Sequence, residues 1–281
     1  LGDFVIGANL PWNHYGHDFG RAWGDRGVGA SRSEVEADFE ALLGTDVVRW
    51  FVYADGRALD HSEPEDVLAD LDVALEIAEL HGVKLMPVLF DFKWFQRARQ
   101  IDGVQLFGRR DLVVDPVQRA ELIARWVEPL AVYGDDPRIF AFDIINEPEW
   151  AISDGVHRAI VGEPITLEQM WDFVFDVAAP LRDGRPLTVG SAKFEDLRAI
   201  WADAPLDLLQ VHDYGLRRLP PADELGTELP VLVGEFATKR VDVARRVERY
   251  EALGYDGALP WSLNGDDRAT SRASLADFLG N

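Results

Sequence analysis

Two glutamates sit where sequence can put a carboxylate to chemical use. Asn146-Glu147-Pro148 closes an apolar run that begins near Ile139, and Gly234-Glu235-Phe236 closes another that begins at Val231. They are 235 − 147 = 88 positions apart. Pro148 disfavours helical backbone at Glu147, which predicts an extended strand up to the carboxylate. Gly234 lets backbone or ligand come close to Glu235. Two opposed carboxylates are what cleavage of a glycosidic bond needs. One protonates the leaving oxygen, and the other attacks the anomeric carbon or activates water. A lone Glu before Pro is more often a loop residue, so the reading rests on the pair.

Other residues suit the same chemistry. Arg49 lies inside an apolar strand, where a charge is expensive unless paired. It either staples the structure or holds Glu235 ionised through charge-assisted hydrogen bonds. His212 and Tyr214 flank Asp213 at another strand end and are candidates to orient the carboxylates. Trp12, Trp94, Trp150 and Trp261 fall at or just past strand ends, as does Asp91. Aromatic residues usually fill cores. Four Trp at one end of a molecule read better as stacking platforms for sugar rings. A metal-dependent alternative rests on His14 and His17 beside Asp18, but these lie in a loop with no evident further ligand. No metal or cofactor is expected. Asn264-Gly265-Asp266-Asp267 reads as a solvated turn or a sugar-contacting loop rather than a cation site.

These residues need a frame. Near-continuous apolar runs over 4–9, 47–52, 84–90, 139–145, 187–190, 208–211, 231–233 and 257–261 have the signature of parallel strands buried on both faces. Helical patterns fall between them, over 33–43, 65–80, 116–133, 167–181, 194–201, 241–253 and 271–279. Ser31/Glu34 and Ser33/Glu36 form overlapping capping-box patterns before the first. Only 220–225, after the sixth strand, is weak, with one turn at most. Eight alternations without a linker predict an α/β fold, a single-domain (β/α)8 TIM barrel over residues 1–281. An open doubly wound sheet usually carries a Gly-rich phosphate turn after its first strand, and Gly7-Ala8-Asn9 opens no helix. The pattern leaves no room for an accessory module. In such barrels function sits at the C-terminal strand ends. Long connections over 11–31 and 91–115 are expected to build substrate walls there.

Composition narrows the ligand. The 281 residues carry 28 basic and 50 acidic side chains, a net charge of −22. So acidic a surface argues against nucleic acid and anionic lipid, and favours a neutral ligand. Of the basic residues, 24 are Arg and four are Lys. There is no Cys, so disulfides and thiolate chemistry are excluded. No apolar run approaches the roughly 20 residues that span a bilayer. Leu1-Gly2-Asp3 has neither the basic start of a signal peptide nor an initiator Met, which reads as a processed chain. The compartment stays open between secretion and cytoplasm, and a monomer is expected.

At Arg49, Asn146-Glu147-Pro148, His212-x-Tyr214, Gly234-Glu235-Phe236 and Trp261 the sequence resembles clan A of the glycoside hydrolases, most nearly family 5, the cellulase and β-mannanase family. The resemblance implies that Glu147 is the acid/base and Glu235 the nucleophile of a retaining polysaccharide-degrading enzyme. It implies a β-1,4-linked glucan or mannan as substrate, an Asn146 bond to the 2-hydroxyl, a Tyr214 bond to the nucleophile, and a cis peptide after Trp261. Many members carry His at the end of strand three, where this chain has Asp91-Phe92-Lys93-Trp94. An exo-acting β-mannosidase or β-glucosidase of the same clan is the alternative, and a non-catalytic sugar-binding barrel is the alternative of another class.

Overall fold

The computed structural model describes residues 3–154, 159–215, 219–239, 241–264 and 268–280. Leu1-Gly2 and the Gly265-Asp266-Asp267 part of the acidic turn lie outside the described residues. Eight strands run β1 (Val5–Asn9), β2 (Val47–Phe51), β3 (Lys84–Asp91), β4 (Phe142–Asn146), β5 (Leu187–Ser191), β6 (Leu209–Asp213), β7 (Val231–Ala237) and β8 (Gly257–Trp261). All pair in parallel and in sequence order, and β8 closes on β1. This is the (β/α)8 barrel that the alternating runs imply.

The barrel interior is layered. Val5, Val47, Met86, Ala141, Leu208, Leu232 and Leu259 form an apolar plug at the strand starts. The upper layer is polar and as fully buried: Asn9, Arg49, Asp143, Thr188, Gln210 and His212 are at most 3% exposed. Outside the strands, a larger apolar core packs them against the helices. Registers slip between Asp143 and Asn146 on β4, between Val211 and His212 on β6, and between Ala258 and Pro260 on β8. Each irregularity lies next to a candidate site residue, where a bulge re-aims side chains. Pro260 can donate no ladder bond, which accounts for the last one.

Several local expectations are corrected. The run over 116–133 divides into an α-helix, Pro116–Trp126, and a 3-10 helix, Glu128–Tyr133. Pro129, which cannot donate to a helix interior, stands at the change. The segment over 194–201 is one α-turn, Phe194–Asp196, running into a π-turn, Leu197–Trp201. Ser31 is the N-cap of the first helix but makes no capping bond, because its hydroxyl donates to the Arg26 and Gly27 carbonyls. After β6 only a 3-10 turn, Ala222–Leu225, occupies the helix position. The long connections pack on each other. A hairpin of Arg99–Ile101 and Val104–Leu106 follows β3. Its Val104 and Leu106 meet Ala22, with Trp23 alongside.

Candidate active site

The mouth of the barrel holds a cleft of about 850 Å³. Glu147 and Glu235 line it together with Trp12, Asp91, Asn146, Trp150, His212, Tyr214 and Trp261. The barrel therefore gathers the two glutamates and most of the other sequence-expected residues on one surface. One carboxylate oxygen of Glu147 lies within 4.8 Å of one of Glu235, and His212 Nδ1 lies 2.9 Å from Glu147 Oε1 and 3.6 Å from Glu235 Oε2.

Glu235 stands inside β7, which runs four residues further than the apolar pattern suggests, to Ala237. Its Oε1 accepts from Arg49 Nη1 at 2.6 Å, and its Oε2 accepts from the Tyr214 hydroxyl at 2.8 Å. Arg49 is completely buried and uses its whole guanidinium. Nε donates to Asp143 Oδ2 at 2.9 Å, Nη1 also to Asn9 Oδ1 at 3.0 Å, and Nη2 to Asn146 Oδ1 at 2.8 Å. Arg49 thus staples β1, β2 and β4 and also faces Glu235 with its positive charge. Burial pushes the Glu235 carboxyl up, while His212, Arg49 and the Tyr214 hydroxyl pull it back down. Gly190 makes room for this cluster, since a Cβ there would lie 2.9 Å from Arg49 Nη2 and 3.1 Å from His212 Nε2.

Glu147 is held differently. The expected extended backbone is not found. Glu147 is left-handed, with φ 48° and ψ 47°. Its N–H still donates to Gly190 O at 2.6 Å, so the ladder continues until the chain turns into the 3-10 turn Pro148–Ala151. The pre-proline rule removes the right-handed helical option, and a non-glycine residue held left-handed costs roughly 1–3 kcal/mol. The carboxylate accepts from Trp150 Nε1 at 3.0 Å and faces His212 Nδ1 at 2.9 Å. No guanidinium bonds it directly among the described residues. Burial pushes its carboxyl up, against weaker lowering by Trp150, Arg49, Lys93 and Lys193. Burial also pushes His212 down to about 4. At neutral pH its ring is therefore uncharged and meets Glu147 through a hydrogen bond rather than an ion pair.

The remaining candidates divide. Trp12 and Trp261 meet edge-on at 6.3 Å between ring centroids, and the Trp261–Ser262 peptide is cis. Asp91 is buried, accepts from Lys93 N at 2.8 Å and from Asn146 Nδ2 at 3.4 Å, and is pushed up to about 6 by burial. Trp94 is a correction. It is 1% exposed, donates to Tyr53 O at 2.9 Å and packs on Phe90, so it belongs to the core rather than to the cleft. A strand-end position does not say which way a ring turns. Asp18 accepts from Asn13 N, His14 N and Trp50 Nε1, which commits it to shaping the loop after β1. His14 pairs with Glu34 and His17 with Ala22 O, so the three do not converge on a metal. Among the described residues only Glu147, His212 and Glu235 cluster closely enough to hold an ion. There the Arg49 guanidinium already faces the carboxylate at 2.6 Å.

The barrel is shared with known enzymes. A β-mannanase from the blue mussel Mytilus edulis superposes with a TM-score of 0.79 at 18% identity, covering 99% of this chain and 92% of that one. An endo-1,4-β-mannanase from Eisenia fetida gives 0.77 at 20% identity, over 99% and 91%. In sequence, a mannan endo-1,4-β-mannosidase of Mytilus edulis is 26% identical over 157 residues. That match spans 54% of this chain and 41% of the mussel protein, less than half of the relative's length. No protein-family profile matches the chain. The chain resembles the family 5 glycoside hydrolases of clan A.

Sequence reasoning missed several residues of this site. Asp143 accepts from Arg49 and from Gln210 Nε2 at 2.9 Å, beneath the two glutamates. Its signal was present, as an acid inside the apolar run of β4. Glu149 is buried and pushed up to about 7 by its burial. It accepts from Ser191 Oγ and Trp201 Nε1, both at 2.6 Å, and from Ala192 N at 3.1 Å, clamping the β4 and β5 ends together. Lys193 and Lys93 reach the cleft from β5 and β3. Nothing in their local sequence marks them.

Proposed function

We propose that this chain is a retaining β-1,4-mannan hydrolase with Glu235 as nucleophile and Glu147 as acid/base. One observation carries the reading. Two carboxylates face each other across one cleft with oxygens within 4.8 Å, and only one of them is bonded to a guanidinium. Double displacement uses carboxyl groups about 5–5.5 Å apart, whereas inversion needs roughly 6.5–9.5 Å to admit a water between them. The unequal partners match unequal roles. Arg49 and Tyr214 favour a charged Glu235, ready to attack the anomeric carbon. Glu147, half-buried and without a bonded cation, is suited to keep a proton and donate it to the leaving oxygen. It then takes a proton from the water that releases the sugar from Glu235. In this reading Asn146, its amide oriented by Arg49 and Asp91, bonds the 2-hydroxyl of the reacting sugar. Trp12 and Trp261 supply the apolar wall. The mannanases among the relatives favour mannan over glucan.

The test is hydrolysis of mannan-, cellulose- and xylan-type oligosaccharides, with product lengths read by chromatography. Preferential cleavage of the mannan series is expected. Binding of oligosaccharide without turnover of any series would overturn the reading in favour of a non-catalytic barrel. A Glu235→Ala variant should lose about four orders of magnitude or more in rate and recover part of it with azide.

A further inference from the structure

Trp150 was expected to be a bare stacking platform, yet one of its faces is taken. The Lys193 ammonium lies 4.4 Å from the ring centroid of Trp150, within the range of a cation–π contact. The edge of the same indole donates Nε1–H to Glu147 Oε2 at 3.0 Å. Both segments are fixed by one buried group. Glu149, the residue before Trp150, takes the Ser191 hydroxyl and the Ala192 N–H, the two residues before Lys193. The backbone on both sides of the contact is therefore fixed, and Lys193, itself exposed, reaches the ring from that fixed base.

We propose that Lys193 is a positioning residue for the acid/base, acting through the Trp150 indole. A cation over the ring face draws electron density from the indole, and the N–H at its edge becomes a stronger donor to Glu147. The donation favours the ionised carboxylate and, together with the His212 contact to Oε1, fixes the orientation of the carboxyl group. The inference rests on Glu147 being the acid/base.

Other charged groups also face Glu147: His212 from β6, Glu235 from β7, Tyr214 after β6, Arg49 from β2, and Asp91 and Lys93 from the end of β3. All of these stay in place when Lys193 is changed, so a Lys193 variant isolates one contribution. The sign follows. Removing the ammonium weakens the Trp150 donation, so Glu147 holds its proton to higher pH. An acid that must be protonated loses activity above its pKa, so the alkaline limb of kcat/KM moves up.

The experiment is the pH dependence of kcat/KM on β-1,4-mannohexaose for wild type, Lys193→Met, Lys193→Arg, Trp150→Phe and the double variant Lys193→Met/Trp150→Phe. Lys193→Met should move the alkaline limb up by about half a unit to one unit, and Lys193→Arg should restore it. Trp150→Phe should move it in the same direction, and Lys193→Met should add less in that background than in wild type, because only the direct charge effect on Glu147 remains. An unmoved limb in Lys193→Met overturns the proposal. So does a Lys193→Met shift of equal size with and without the indole N–H, because the ammonium would then act on Glu147 directly. Glu147→Gln separates the two levels. If its profile keeps the alkaline limb, the acid/base assignment has failed rather than the role of Lys193.

Discussion

Replacing Arg49 by Met should damage stability and catalysis together, and in a pH-dependent way. Arg49 is fully buried and bridges Asp143, Glu235, Asn9 and Asn146. Met fills much of the same volume but leaves Asp143 with Gln210 and the Gly190 N–H, and Glu235 with Tyr214 and His212. Removing one partner of a buried ion pair costs about 3–5 kcal/mol. At roughly 2–4 °C per kcal/mol for a chain approaching this size, the midpoint of thermal unfolding should fall by about 6–20 °C. Glu235, already pushed up by burial, loses the pull of Arg49 and rises further. A group whose folded pKa is raised stabilises at low pH and loses that contribution as pH rises through the folded value. The deficit against wild type should therefore be smallest near pH 4 and grow toward pH 8. In activity, the nucleophile must be ionised, so the acid limb of kcat/KM should move to higher pH. Calorimetry across that range, paired with pH–rate profiles, reads both effects. A stability loss under about 1 kcal/mol, or one independent of pH, would refute the reasoning that Arg49 compensates two buried carboxylates.

Other expectations follow from the same geometry. Glu147→Ala should cost about 10²–10⁴-fold on oligosaccharides, whose leaving groups need a proton, and far less on aryl glycosides with good leaving groups; equal losses on both would contradict an acid role. Trp94→Ala should destabilise by about 3–5 kcal/mol through a core cavity while KM stays near wild type among the molecules that fold. Trp12→Ala should leave unfolding nearly unchanged and raise KM roughly tenfold, the loss of about 1.4 kcal/mol of stacking. The two Trp variants together check that one ring is core and the other cleft, by thermal unfolding and by steady-state kinetics.

Much of the fold and of the site is legible in the sequence. Parallel strands buried on both faces must be apolar almost throughout, so the eight runs stood out and their order fixed the barrel. The glutamates were legible because a charge at the end of such a run has a limited set of places to go. Arg49 is legible for the same reason, and Asp143 meets the same test as an acid inside the β4 run. What the one-dimensional pattern lacked was direction. It could not tell that Trp94 turns inward and Trp12 outward, since both follow an apolar strand. Nor could it see the left-handed backbone at Glu147, because the rule for residues before proline excludes the right-handed helix without choosing between the alternatives. Lys193 and Glu149 were invisible because their roles arise between the ends of β4 and β5, more than 40 positions apart.

The central claim is double displacement by Glu235 and Glu147, and the anomer released first decides it. Proton NMR during hydrolysis of a β-1,4-mannooligosaccharide should show the β-anomer appearing first, with α accumulating only by mutarotation. An α-anomer formed first would mean inversion, and Glu235 could not be the nucleophile.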